Sequence, residues 1–323
     1  MNLHENKDVF TAAIQLASTP KQEGGLGIKQ IYIEKDYWLC RSLKQLSECK
    51  ESEVAVFKGG TSLSKAYLLG NRFSEDIDIA ITSDSQRTDN QTKNIISRIS
   101  KVMSAGLEEV PNPATRKYSK YRKAFYRYPV TTENEIIGAI NPGQILLEIV
   151  SFANPYPYQK VFIKSFLTEY LENVGRNDII EAYGMQGFEI QVLAKSRTAT
   201  EKLVSLIRHS LSADYISELK AKIRHFYDLH FLWNDPESRA YLECSEFKTD
   251  FKELLSSDQA RFKEPEGWCD KKVSDSPLIS SFDIVWSELQ ETYSKELPEL
   301  AYQTIPSPES VAESFKELSV LLI

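Results

Sequence analysis

The sequence of 323 residues lacks the features that mark disulfide-rich, zinc-binding, secreted or membrane proteins. Its four cysteines are scattered without a CxxC pair, which argues against a zinc site or a disulfide framework. No apolar run approaches the ~18 residues of a membrane span. The N-terminus has no basic segment followed by an apolar core, so no secretory signal is predicted. We therefore expect a cytoplasmic protein with no membrane association.

Basic charge is also scarce, but only in one part of the chain. The sequence has 46 acidic and 39 basic residues, a net charge of -7. Residues 234–323 carry 19 acidic and 9 basic side chains, whereas residues 1–233 carry 27 and 30. An acidic total usually argues against a polyanionic partner. The net charge therefore does not exclude a polyanionic partner for residues 1–233. Two solvated surfaces that differ in charge by chance would give the same imbalance.

Hydrophobic periodicity predicts an α+β core followed by a mainly helical portion that begins near residue 199. The length suits about two domains at roughly 100–200 residues each, and we place them at 1–195 and 196–323. The predicted helices of the core are 8–17, 32–46, about 87–109 and 162–174. Its predicted strands are 54–57, 76–81, 116–130, 145–150 and 188–193.

Three carboxylates stand out in the predicted strands. Asp76 and Asp78 alternate with isoleucines, so both project from the same face of their strand. Glu148 interrupts an apolar strand that has no polar alternation of its own. Carboxylates brought together at one sheet edge repel each other unless a divalent cation or a shared proton offsets their charge. Mg²⁺ or Mn²⁺ suits such an oxygen-rich site. A DxD pair taken alone is more often an ordinary surface feature.

A glycine-rich turn supplies a complementary element. Gly59 and Gly60 follow a predicted strand and open a helix, with Thr61 expected near its N-cap. Such a turn lets the backbone N–H groups approach a phosphate, and the hydroxyls of Thr61 and Ser62 add donors. Lys58 and Lys65 offer positive charge, although Lys65 is equally consistent with a solvated helix residue. The combination predicts a site for a metal and a nucleoside triphosphate.

These motifs resemble those of a known family. The run FKGGTSLSKAYLLGNRFSEDIDIAI is similar to the signature of the AbiEii/AbiGii-type toxin nucleotidyltransferases, a branch of the DNA polymerase β-like superfamily. The resemblance implies a small mixed β-sheet flanked by helices. It also implies a metal held by Asp76, Asp78 and Glu148, and a nucleotide contacted by residues that include Ser74. The short KDYW motif at 35–38 resembles a further family element.

Two downstream helices extend the resemblance. Lys202 lies in a segment similar to the family's "KL…R" helix, and the resemblance implies that it holds nucleotide phosphates. Asp228 lies in a segment similar to "RxKDxYDL", where the family's aspartate completes the catalytic residues. The first turn departs from that pattern, since Arg224-His225 stands where Lys-Asp is usual. An ordinary i,i+4 salt bridge between Arg224 and Asp228 is the alternative interpretation.

A basic and aromatic segment indicates a possible acceptor. It contains six basic residues and no acid: Arg116, Lys117, Lys120, Arg122, Lys123 and Arg127. Basic side chains follow a phosphate backbone and aromatic rings stack on unpaired bases, so the segment favours RNA. An edge strand whose charges prevent edge-to-edge pairing explains the same composition.

The favoured hypothesis is a toxin of a toxin–antitoxin or abortive-infection phage-defence system. It would use Mg²⁺ or Mn²⁺ to transfer a nucleotide from an NTP to RNA, with the tRNA 3′ end as the best candidate, and release pyrophosphate. The alternatives are nucleotidylation of a protein or small molecule, and an inactive NTP-binding regulatory module. The resemblance also implies a cognate antitoxin.

Overall fold

In a computed structural model, the described residues are 1–73, 76–132 and 143–323, so the expected nucleotide contact Ser74 lies outside them. Eight β-strands are present in these ranges: β1 (Ala55–Lys58), β2 (Asp76–Ile81), β3 (Glu108–Val110), β4 (Arg116–Lys117), β5 (Tyr121–Arg127), β6 (Gln144–Val150), β7 (Tyr158–Ile163) and β8 (Phe188–Leu193). Within the same ranges, no helix is both long and apolar enough to cross a bilayer.

The α-helices divide between the two parts of the chain. Those before residue 194 are α1 (Lys7–Ser18), α2 (Gln30–Ser47), α3 (Gly59–Ala66), α4 (Asp89–Met103), α5 (Phe166–Asn173) and α6 (Asn177–Ala182). Those after it are α7 (Lys195–Ser210), α8 (Tyr215–Lys220), α9 (Ile223–Asn234), α10 (Pro236–Leu242), α11 (Ser245–Arg261), α12 (Pro277–Ser280), α13 (Phe282–Leu300) and α14 (Pro308–Val320).

The chain folds into two compact units. The N-terminal unit comprises Met1–Tyr67 and Phe73–Leu193, and it holds all eight of these strands. The C-terminal unit comprises Ala194–Ile323 together with a short upstream segment, Leu68–Arg72. The five residues of that segment therefore belong to the helical unit, although they lie between α3 and β2 in the sequence.

The N-terminal unit is built on one mixed β-sheet, as expected for an α+β fold. Its strand order is β3-β5-β6-β2-β1-β8-β7, and β4 pairs with β5 beside β3. The β2–β6 and β1–β8 pairs are parallel and the other pairs are antiparallel. Parallel neighbours need crossover connections, and β2 and β6 are joined through α4 and the β3–β5 strands.

The two faces of β2 differ in burial. Ile77, Ile79 and Ile81 are fully buried, and helices α2 and α4 pack in this unit with the neighbouring strands β6 and β8. Asp76 and Asp78, which alternate with the isoleucines, are only half-buried. The period-two pattern in the sequence therefore separates an apolar core face from a polar face that remains accessible.

Several element boundaries differ from the sequence-based expectations. Residues 162–163 end strand β7 instead of opening a helix, and the helix expected to reach about residue 109 ends at Met103. The apolar periodicity at 162–174 runs across Ser165, which caps α5 and starts the helix there. Strand β5 is an interior strand paired on both sides, so the edge-strand interpretation fails for it and applies only to β4.

The C-terminal unit has a core of apolar and aromatic side chains around α9. Phe226 of this helix contacts the rings of Phe282, Trp286 and Phe315, at centroid distances of 4.9–6.5 Å. Helices α7, α10, α13 and α14 all pack against α9. Asp228 lies two residues after Phe226, so this packing fixes the backbone that carries the expected catalytic aspartate.

Candidate active site

Charged residues form a row across four adjacent strands. Strand register pairs Asp78 of β2 with Lys58 of β1 on one side and with Glu148 of β6 on the other, and Glu148 in turn pairs with Lys123 of β5. Directly paired residues project from the same face of a sheet. The row therefore places two carboxylates side by side at its centre, with a lysine on each flank.

Asp76 belongs to the same face but not to the same row. It is two residues before Asp78 on β2, a separation of about 6.5–7 Å along a strand, and its register partner is Leu146. The three predicted carboxylates therefore share one face, with Asp78 and Glu148 as direct neighbours and Asp76 one step along the strand.

Gly59 lies against the carboxylate of Asp78. A Cβ atom at this position would come within 2.2 Å of Asp78 Oδ2, and the residue has a φ of +82°. Both observations require glycine, since a side chain would clash and a positive φ is strained for other residues. Helix α3 begins at this residue, so the start of the helix and the carboxylate row meet here.

The hydroxyls of Thr61 and Ser62 already have partners. Thr61 Oγ1 donates to the backbone carbonyl of Asp76 at 2.5 Å, and Ser62 Oγ donates to the carbonyl of Gly59 at 2.8 Å. Both side chains are buried. Thr61 is the third residue of α3 and not its N-cap, because the helix begins two residues earlier than expected. Its hydrogen bond ties α3 to the strand that carries Asp76 and Asp78.

Glu148 is held by two residues of β5. Lys123 Nζ lies 3.9 Å from Glu148 Oε2. Burial, the charge of Glu148 and a hydrogen bond with it raise the pKa of Tyr121 to about 12. The phenol of Tyr121 is protonated at neutral pH, so it can donate a hydrogen bond to the Glu148 carboxylate. These contacts offset part of the repulsion between Glu148 and Asp78.

The donor set fits a hard divalent cation only in part. Among the described residues, no three His, Cys, Asp or Glu side chains are grouped closely enough to hold a metal by themselves. Mg²⁺, however, is commonly bound through one or two carboxylates, with waters and substrate phosphates as the remaining ligands. Asp78 and Glu148, paired across β2 and β6, meet that smaller requirement, and Asp76 lies on the same face.

The basic segment presents its charges on both faces of the sheet. Arg116 is paired with Lys123, and Arg127 lies four residues further along β5, so these three share the face of Glu148. Lys117 and Arg122 are paired on the opposite face. Lys120 precedes β5 and forms an ion pair with Asp89 at 2.8 Å.

The aromatic residues of this segment divide in the same way. Tyr126 and Tyr128 are buried, where they contact Ser100 and Trp38 respectively, so they belong to the core and cannot stack on bases. Tyr121 and Phe125 remain half-exposed on the face of Glu148. Sequence alone could not separate these two sets, because both interleave with basic residues.

Lys65 and the KDYW motif form a buried structural contact. Lys65 Nζ lies 2.6 Å from Asp36 Oδ1, and the other oxygen of Asp36 accepts from the backbone N–H of Phe166 at 2.6 Å. Asp36 is fully buried. This carboxylate therefore connects α2, α3 and the start of α5. The ammonium group of Lys65 is paired with Asp36, whereas the sequence suggested either a positive charge for the phosphates or a solvated helix residue.

The C-terminal unit contains a second buried charge cluster. Lys202 Nζ lies 2.7 Å from Asp228 Oδ2, and Arg72 donates from Nε to Oδ1 at 2.8 Å and from its terminal nitrogen to Oδ2 at 2.7 Å. All three side chains are at least 93% buried. Burial would raise the pKa of Asp228, but Arg72 and Lys202 outweigh it and hold that pKa well below its ordinary value.

This cluster replaces the helix salt bridge that was the alternative for Asp228. Both of its oxygens are engaged by Arg72 and Lys202. Burial, followed by the charge of Lys202, lowers the pKa of His225, which keeps this imidazole neutral at pH 7.

Sequence comparison decides the family. Residues 41–317 match the profile of the family described as nucleotidyl transferase AbiEii toxin, type IV toxin–antitoxin system. The chain belongs to this family. It is therefore a nucleotidyltransferase of the AbiEii toxin type, as the GG and DxD motifs predict.

Solved structures similar to this AbiEii-family protein include two bacterial proteins. One is MenT4, a nucleotidyltransferase toxin from Mycobacterium tuberculosis, with 15% identity, coverage of 97% of this chain and 98% of that chain, and a TM-score of 0.47. The other is JHP933 from Helicobacter pylori, with 16% identity, 91% coverage of both chains and a TM-score of 0.45. Comparison with curated protein sequences gives no significant match.

For two residues of the AbiEii-family chain, only the structure identifies the interaction partner. Arg72 carries the bidentate contact to Asp228 across 156 residues of sequence, and Asp36 carries the contact to Lys65. Each lies within a family-like motif, but neither motif identifies a partner. A charged residue between apolar helix positions, as at Asp36, is the one sequence signal that indicates a buried ion pair.

Proposed function

We propose that this AbiEii-family toxin is a metal-dependent nucleotidyltransferase that moves a nucleotide from an NTP to RNA. The tRNA 3′ end is the favoured acceptor. The observation that supports this most directly is the pairing of Asp78 with Glu148 across parallel strands, with the start of α3 against Asp78. Such an arrangement offers adjacent carboxylates for a cation and backbone N–H groups for phosphates at one place.

Asp76, Asp78 and Glu148 would hold Mg²⁺ or Mn²⁺, which supplies charge neutralisation at the triphosphate when bound. We assign Gly59 and the first turn of α3 to the nucleotide phosphates because glycine allows a close backbone approach there. Lys202 is assigned to the phosphates on the family resemblance. Thr61 has a positioning role, since its hydrogen bond to Asp76 fixes α3 relative to β2.

In the proposed reaction, an oxygen of the acceptor hydroxyl bonds to the α-phosphorus. The bond from that phosphorus to the bridging oxygen breaks, and pyrophosphate leaves with the electron pair. The hydroxyl proton passes to solvent. Asp228 is a poor base, because Arg72 and Lys202 hold its pKa below the ordinary range. We therefore assign Asp228 to the orientation of Lys202, which lies 2.7 Å from it.

A transfer assay tests this proposal directly. The protein is incubated with Mg²⁺, total tRNA and each α-³²P-labelled NTP in turn, and the products are separated on a denaturing gel. We expect a labelled tRNA band, and no band when the tRNA 3′ end has been oxidised with periodate. A label on protein would instead assign a protein acceptor. The absence of any labelled product would indicate a regulatory NTP-binding module.

The two faces of the basic segment give a matched test of the RNA acceptor. Arg116→Gln/Arg127→Gln removes two charges from the Glu148 face, and Lys117→Gln/Arg122→Gln removes two from the other face. Each pair includes one residue that is ion-paired with a glutamate of β3. We expect the first variant to weaken tRNA binding about tenfold at low salt and to lower the salt slope by about one per lost phosphate contact.

The second variant should bind tRNA nearly as the wild type does, because its charges lie on the opposite face. Filter binding at several salt concentrations measures both quantities. Equal losses in the two variants would mean that net charge alone attracts the RNA, and the Glu148 face would then have no special role.

The AbiEii family also implies a cognate antitoxin. We propose that this protein acts within such a toxin–antitoxin pair, with abortive infection as its cellular outcome. Co-expression with the product of the adjacent gene should relieve growth arrest caused by the toxin.

A further inference from the structure

Arg72 is a buried arginine of the C-terminal unit that is paired with Asp228. Its guanidinium meets both oxygens of Asp228, at 2.8 and 2.7 Å, and only 5% of the side chain is exposed. A bidentate arginine–carboxylate pair fixes the orientation of both groups. The position of Arg72 therefore determines which way Asp228 faces.

The backbone around Arg72 is held by the same unit. The N–H of Asn71 donates to Tyr227 Oη at 2.9 Å, and its carbonyl accepts from the N–H of Tyr302 at 2.9 Å. Arg72 itself forms a β-bridge with Ala301. Gly70 has a φ of +74°, and a Cβ there would lie 3.1 Å from the Tyr227 ring. The segment Leu68–Arg72 is thus anchored by backbone contacts as well as by the side chain of Arg72.

Among the described residues, the ion pairs of this cluster join one more positive charge than negative. Arg72 and Lys202 contribute two positive charges and Asp228 one negative charge, and His225 beside them is neutral because its pKa is lowered. An isolated Asp228–Lys202 pair would be neutral. A surplus positive charge with little access to water attracts an anion more strongly than an exposed lysine does.

We propose that Arg72 is a positioning residue for nucleotide phosphate binding. It occupies and neutralises Asp228, so that the charge of Lys202 remains available for an anionic phosphate. This proposal rests on the assignment of Lys202 to phosphates under the proposed function. It adds a role for a residue upstream of the DxD motif.

The test uses Arg72→Gln in the full-length protein, with inorganic pyrophosphate as a probe that needs no particular base. Isothermal titration in the presence of Mg²⁺ gives its Kd at several salt concentrations. We expect the variant to bind pyrophosphate on the order of tenfold more weakly at low salt. The difference should shrink as salt rises, because the lost interaction is electrostatic.

Arg239→Gln is the matched control. Arg239 also lies in the C-terminal unit, where it pairs with Glu243 at 2.9 Å and stacks over Trp233. This variant removes the same charge from the whole protein and should bind pyrophosphate as the wild type does. Arg72→Lys keeps the charge without the bidentate geometry, and its affinity should lie between those of the wild type and Arg72→Gln.

Three results would overturn the proposal. The first is wild-type pyrophosphate affinity in a folded Arg72→Gln protein, and the second is a weaker affinity whose salt dependence is unchanged. The third result applies if Arg72→Gln does not fold. In that case, wild-type pyrophosphate affinity in Arg72→Lys would contradict the proposal. A wild-type protein that transfers no nucleotide and binds no pyrophosphate would instead refute the proposed function itself, so the two failures are distinguishable.

Discussion

Asp78→Asn is expected to lower nucleotide transfer by roughly 10³-fold or more, the effect of losing several kcal/mol of metal-assisted stabilisation. The substitution keeps the volume of the side chain and removes its charge. Asp78 is the carboxylate that pairs with Glu148 and lies against Gly59, so its loss affects both the cation and the phosphate contacts proposed there. Asp76→Asn should have an effect of the same order.

The fold should survive both substitutions. Each aspartate is half-buried on a polar face, and removal of one charge relieves repulsion among the carboxylates of that face. We expect the free energy of unfolding to change by less than about 1 kcal/mol. Glu189→Gln is the control, since Glu189 lies on β8 of the same sheet and is exposed. Transfer at the wild-type rate by folded Asp78→Asn would refute the metal assignment.

Asp228→Asn is expected to lower the free energy of unfolding by about 3–5 kcal/mol, which is the usual result of breaking a buried ion pair from one side. Asparagine fills the same space but leaves Arg72 and Lys202 buried without a counter-charge. Urea denaturation followed by tryptophan fluorescence is the suitable measurement. Three of the four tryptophans, Trp233, Trp268 and Trp286, lie in the C-terminal unit, so the signal reports mainly on it.

The stability difference should depend on pH in a defined direction. The pKa of Asp228 is lowered in the folded protein, so its contribution is fully present above the unfolded pKa of about 3.9 and is lost as pH falls below it. The wild type should therefore lose its advantage over Asp228→Asn in acid.

Asp283→Asn serves as the surface control for this stability prediction. Asp283 pairs with Lys316 at 2.7 Å and is 80% exposed, so its replacement should cost at most about 1 kcal/mol. A similar small loss in Asp228→Asn would show that the buried cluster contributes little to stability.

The local sequence pattern was sufficient to predict the secondary structure of the central motifs. The alternation of Asp76 and Asp78 with isoleucines predicted a strand with one polar and one buried face, and the structure has that arrangement. Gly59 and Gly60 predicted a strand-to-helix turn, and the structure has one. The helix that follows begins two residues earlier than expected. These features depend on neighbouring residues only, so sequence periodicity captures them.

The local sequence pattern predicted the wrong structure where a side-chain cap or pairing with a distant strand sets the boundaries of an element. The periodicity at 162–174 suited a helix, but residues 158–163 pair with β8 and Ser165 caps the helix that follows. The composition of the basic segment predicts one strand over residues 116–130 and does not reveal its register. Pairing of β4 and β5 places its charges on two opposite faces.

The sequence by itself determined the family, the α+β class and the identity of the carboxylates and glycines proposed for catalysis. Tertiary structure decided which charges meet. Asp78 and Glu148 become neighbours only through parallel pairing of β2 with β6, and Asp228 meets Arg72 only because residues 68–72 fold with the C-terminal unit. The physical reason is that attraction between charges depends on their distance in space and on exclusion of water, and neither quantity is encoded in the spacing of residues along the chain.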